Sequence, residues 1–132
     1  MTSTNPEYLW EKRNRTVYKA ELSALYHQKR ERFFELCDKL GKAISIIGGS
    51  AAVWNVTNKD FIPWIAIAIT VSSTMSLVFG FSERARRHAD LSRRYKTIIT
   101  AIVAIGELNF NLVQINEWNE KISLVEHMSH QL

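Results

Sequence analysis

"FIPWIAIAITVSSTMSLVFGFSERARRHADLSRRY", residues 61–95, changes character part-way along. The twenty-two residues from Phe61 to Ser82 carry no charge, whereas six Arg and Lys residues crowd between Arg84 and Lys96. As a helix rising about 1.5 Å per residue, the uncharged part covers roughly 30 Å, the thickness of a bilayer's hydrocarbon core. The buried central helix of a soluble bundle has a similar composition. The rest of the chain decides between the two.

Charge is segregated along the 132 residues. Residues 1–42 hold nine Lys/Arg and six Asp/Glu, residues 83–132 hold seven and six, and the middle forty hold only Lys59 and Asp60. A mean hydropathy of -0.14 hides this division. Globular chains place charge on the outer face of every surface helix. A second uncharged run, "AISIIGGSAAVWNVTN", covers residues 43–58, with Lys42 before it able to snorkel to an interface. Its sixteen residues lie near the lower limit for a span. Between the runs, Asn58 and Asp60 favour a turn, Asp60 suits a helix cap and Pro63 a first turn. Trp54 and Trp64 flank that turn, where amphipathic indoles prefer the membrane interface.

The expected fold is therefore all-α: a helical hairpin of two transmembrane helices, extended by long cytoplasmic helices and assembled as an oligomeric helical bundle. Its parts within one domain are a cytoplasmic amphipathic helix over 5–42, spans over 43–58 and 61–82, and basic and packing helices over 83–132. Positive charge lies on the side of both termini, so the positive-inside rule makes both termini cytoplasmic. Arg84, Arg87, Arg93 and Lys96, with Lys42, become candidates for anionic lipid or partner contacts. Direct nucleic-acid binding is a weaker reading, because Tyr95 is the only aromatic among these basic residues.

Small residues recur on both spans: Ser45, Gly48, Gly49 and Ala52 on the first, and Ala68, Ser72, Ser76 and Gly80 on the second. In lipid, close approach through such faces holds helices together, whether within one chain or between copies. Thr70, Ser72, Ser73, Thr74 and Ser76 put hydroxyls at mid-span. They either line a polar path in an assembly or bond their own helix backbone one turn back. Neither span carries a titratable group, which argues against a proton-coupled transporter.

Outside the spans, Asn5, Pro6 and Glu7 make a helix start. Tyr18, Leu22, Leu25, Phe33, Leu36 and Leu40 then follow helical spacing, and the helix is expected to run on into the first span. Leu91, Tyr95, Ile98, Ile102 and Ile105 form a packing stripe, with Gly106 as a break. Leu108, Leu112, Ile115, Ile122 and Val125 resume it. Asn109 and Asn116, seven apart, either fix an oligomer's register or form a solvated face.

The chemistry of an enzyme is missing. No phosphate loop, strand pattern or activated nucleophile is found, so no catalytic residue, cofactor or metal is expected. His127 and His130 near Glu126 make a poor metal site without further ligands. His88 sits among arginines that disfavour its charge and is expected to pack at the membrane edge. Cys37 reads as a small apolar residue.

With "ALYHQKRERF" before a two-span hairpin and "ERARRHADLSRRY" after it, the layout resembles the SLATT domain, the two-transmembrane module associated with SMODS nucleotidyltransferases and SLOG sensors. The resemblance covers nearly the whole chain and rests on architecture and on Tyr26, Arg30, Ala85, His88, Leu91 and Tyr95. It implies an antiphage effector in a bacterial inner membrane, homo-oligomeric. A separate nucleotidyltransferase or reverse transcriptase, or its product, would trigger it. A membrane-anchored adaptor and a phage holin are the alternatives.

Overall fold

The computed structural model describes residues 5–53, 62–106 and 110–131; the side chains of 51–53 and 62 lie outside that description. Four helices follow one another: α1 (Pro6–Val53), α2 (Ile62–Phe79), α3 (Phe81–Ala104) and α4 (Leu112–His130). No strand occurs among the described residues. The expected helix start is present: the Glu7 amide donates to Asn5 Oδ1 at 3.2 Å. With no proline after Pro6, α1 continues for 48 residues into the first uncharged run, helped by Glu35–Lys39 and Asp38–Lys42 pairs four apart. Residues 54–61, which contain Trp54 and the expected turn at Asn58 and Asp60, lie outside the described residues.

The second uncharged run and the basic segment were expected as one unbroken helix, and they are not. Gly80 takes φ +52 between α2 and α3. This left-handed conformation costs an L-residue with a Cβ roughly 1–2 kcal/mol, and glycine adopts it freely. Hydrogen bonding nevertheless passes through the joint, since Gly80 N–H donates to Ser76 O at 3.1 Å and Arg84 N–H to Gly80 O at 3.0 Å. Gly106, at φ +82, ends the next helical segment as anticipated. Asn111 then restarts the chain with a capping box: its Oδ1 accepts from Gln114 N–H at 2.9 Å, and Gln114 Oε1 accepts from Asn111 N–H at 3.0 Å.

The chain divides into two compact units, residues 31–86 and residues 1–30 with 87–132. The latter has a three-helix core. Leu91, Tyr95, Ile98 and Ile102 of α3 meet Ile115, Trp118, Ile122 and Val125 of α4, while α1 contributes buried Ala20 and Ala24, with Leu9 and Val17 partly buried beside them. Burying each large side chain is worth about 1.5–3 kcal/mol. The stripe expected on α3 thus packs, and on α4 Ile115, Ile122 and Val125 do, whereas Leu112 is exposed and Leu108 lies outside the described residues.

On α1 the expected stripe does not pack. Tyr18 is 64% exposed and Leu22 and Leu25 about half exposed, while Arg13, Thr16, Ala20, Ala24 and His27 are buried. Alanine lets α1 come close to its neighbours, and polar groups on the same face find partners across the gap; bulky Leu and Tyr there would hold the helices apart. In the unit of residues 31–86, Phe34 is buried and stacks on Phe81 at 6.4 Å between ring centroids. Phe33, Leu36 and Leu40 remain exposed on the same α1 segment.

Candidate functional site

Two places combine polar chemistry with packing, one in each unit. Within residues 31–86, α1 and α2 meet at glycines. A Cβ built on Gly48 would lie 2.6 Å from Ile69 Cδ1, so a larger residue there would force the Ile69 side chain to shift, whereas one on Gly49 would meet nothing within 4 Å. Seven residues before Gly48, the Gly41 carbonyl accepts from Ser45 Oγ at 3.0 Å and from Ser72 Oγ of α2 at 3.5 Å.

Two grooves flank this contact. One, of about 420 Å³, is lined by Lys42, Ser45, Ser72, Ser73 and Ser76 among others. The other, of about 630 Å³, is more apolar, with Leu40, Ile44, Ile67 and Val71 in its wall. The hydroxyl belt therefore splits. Thr70 Oγ1 bonds its own helix at Ala66 O, 2.8 Å away, while Ser72 reaches across to α1. The helical run Pro63–Ala104 contains a stretch long and apolar enough to cross a membrane, and none of that stretch is buried.

The other expected residues fall as follows. Ala68 lines the apolar groove, and Gly80 forms the joint between α2 and α3. Trp64 is exposed in the first turn of α2. Lys42 Nζ is held by Asp38 Oδ2 at 2.6 Å. Arg84, Arg87, Arg93 and Lys96 are exposed along α3, and Arg94 Nε bonds Asp90 at 2.8 Å. Asn116 is exposed on α4, as are His127 and His130 in its last turn. Trp54, Asn109 and the Ala52 side chain lie outside the described residues.

The second place was not anticipated. His88, expected at a membrane edge, is buried against α1, where its Nδ1 lies 2.9 Å from Nδ1 of buried His27. The cause is the face α1 turns inward: with Ala20 and Ala24 small, the two helices approach closely enough for side chains to bond across them. The His27 ring stacks on Tyr95, with centroids 5.8 Å apart, and meets Tyr26 edge-on at 5.2 Å. A seam of polar contacts continues on either side. Ser92 Oγ donates to Ala24 O at 3.2 Å, Tyr95 shares a hydrogen bond with Ser23, and Thr16 Oγ1 bonds Asn119 Oδ1 at 3.1 Å.

Electrostatics follow from this packing. Burial, then the charges of His88 and Arg30, hold His27 below the usual histidine pKa. Burial pushes the Tyr95 phenol up, against the opposing effect of the Ser23 bond, and Glu126 adds to the rise. Sequence reasoning passed over His27 because nothing along the chain marks it; its partner is 61 residues away.

No family model, curated protein or solved structure matches this chain.

Proposed function

We propose that this chain is a membrane effector of a bacterial antiphage system. It assembles into oligomers and permeabilises the inner membrane when a partner nucleotidyltransferase or reverse transcriptase, or its product, triggers it. The observation that carries this reading is the exposure of the long apolar stretch after Pro63. A soluble bundle hides its most apolar helix, and here none of that stretch is buried. Lipid is the solvent such a surface fits.

Three features extend the reading. The glycine contact at Gly48 suits two spans packed in lipid, where small residues replace the hydrophobic drive. Ser72, Ser73 and Ser76 along a groove supply a polar lining that an assembly of several copies would turn toward a water path. Uncovered Tyr18, Leu22 and Leu25 on α1 offer apolar surface for assembly. Both termini are cytoplasmic in this arrangement, with the arginines of α3 at the inner face. Loss of membrane potential and dye uptake on triggered expression are the expected outcomes; cells that arrest with an intact potential would overturn the reading.

The exposed apolar residues of α1 also favour a second reading, a membrane-anchored adaptor that recruits a protein and opens nothing. Single-channel recordings of the purified protein in bilayers separate the two, because an adaptor carries no current.

A further inference from the structure

We propose that His27 and His88 form a proton-operated latch between α1 and α3, closed while at most one of the two rings is charged and released when both take up protons. The proposal concerns residues 1–30 with 87–132 and does not depend on the membrane reading.

Geometry sets the rule. Two imidazole Nδ1 atoms 2.9 Å apart make a hydrogen bond only if one carries a proton and the other offers a lone pair. Either ring can be the donor, but the acceptor must be neutral. A second proton turns the acceptor into a donor. The bond is then lost, and two cations face each other across buried rings whose centroids are 5.2 Å apart. Separation of α1 from α3 is the way to relieve this.

The surroundings oppose the charge. On α1, Arg30 acts on His27 as a like charge, and Tyr26 covers one ring edge. On α3, beyond His88, Tyr95 stacks on the ring as a neutral phenol. From α4, Glu126 acts on Tyr95 and is bonded by Lys19 at 3.0 Å. Held below its ordinary value of 6.5 in the packed state, His27 binds protons more readily once exposed. Unfolding therefore takes up protons, so stability falls as pH drops through 6.5 toward the packed-state value and levels off below it. The latch sits where the buried apolar part of the α1 face is two alanines, beside the Ser92–Ala24 bond, with Thr16–Asn119 and Lys19–Glu126 further along α1, so its release loosens one part of a longer seam.

Amide hydrogen exchange on the full-length, detergent-solubilised protein tests this. Protection factors corrected for intrinsic exchange should fall about tenfold around Ala24–His27 and His88–Ser92 between pH 7.5 and 5.0. The direction of the fall is that of a histidine that binds protons more readily in the open state than in the packed one. The same amides in H27Q and in H88Q should show a flat profile. Equal protection at both pH values in the wild-type chain overturns the proposal, as does a fall that persists unchanged in both variants. If the variants fail to fold, the His27 ring protons in the wild-type chain decide by NMR titration. Loss of the ring contacts of His27 with His88 and Tyr95 once both histidines are charged supports the latch, and contacts that survive full protonation remove it.

Discussion

Gly48 and Gly49 are neighbours with opposite surroundings, and they show how one residue's cost depends on what it faces. At Gly48 the side chain of Ile69 already occupies the space a Cβ would take. Gly48→Ala should therefore weaken the α1–α2 contact by about 1–3 kcal/mol, the usual penalty for overpacking. Combining it with Ile69→Ala should recover part of that loss. Gly49→Ala meets open space and should raise stability by roughly 0.5–1 kcal/mol through helix propensity alone. Denaturant unfolding of the detergent-solubilised protein compares all three. The sequence marked both glycines as small and could not rank them, because facing is set by helix rotation about a neighbour. Trp64 and Lys42 were equally plain in the sequence, and the structure adds only the Asp38 partner that ties down the lysine.

At the scale of elements, some helix ends and one packing face were readable. Asn5 caps α1, Gly106 sits where the helical pattern of α3 stops, and the stripe through Ile115, Ile122 and Val125 becomes the buried face of α4. Local chemistry drives all three, so a local reading finds them. The reciprocal cap at Asn111 and Gln114 gives a clean test. Asn111→Ala should lower thermal stability by about 1 kcal/mol, while Asn111→Asp should retain most of it. The joint at Gly80 departs from the single continuous helix expected across residues 61–95. Its left-handed φ makes Gly80→Ala a different kind of change from Gly49→Ala. It should cost about 1–2 kcal/mol in the same denaturant assay, or force the joint toward straight helix, which would appear as increased helical ellipticity.

Across the whole molecule, uncovered apolar surface is the dominant fact. Residues of α1 and α2 that a soluble bundle would hide are exposed, including Phe33, Ile47, Leu77 and Val78. The protein should accordingly sediment with membranes after alkaline washing and need detergent for release. Recovery in the soluble fraction without detergent would contradict a membrane role. Within that role, replacing Ser72, Ser73 and Ser76 together with Ala removes the α2 hydroxyls of one groove, keeping Ser45 of α1, while leaving the Gly48 contact in place. A pore should lose conductance severalfold in planar bilayers, whereas depolarisation that proceeds unchanged would take the groove out of the path.

What the sequence determined by itself was helix content, the start of α1, the break at Gly106, the uncharged run with its basic flank, and most of the packing stripes of α3 and α4. These follow from composition and periodicity, which act over a few residues. Only the tertiary structure decided which face of α1 turns inward. Its large apolar residues stay outside because alanines at 20 and 24 permit a closer approach, and that approach brings together polar groups far apart in the chain. The pairing of His27 with His88 depends on the rotation of two helices about their axes, a quantity that no pattern along a single chain contains.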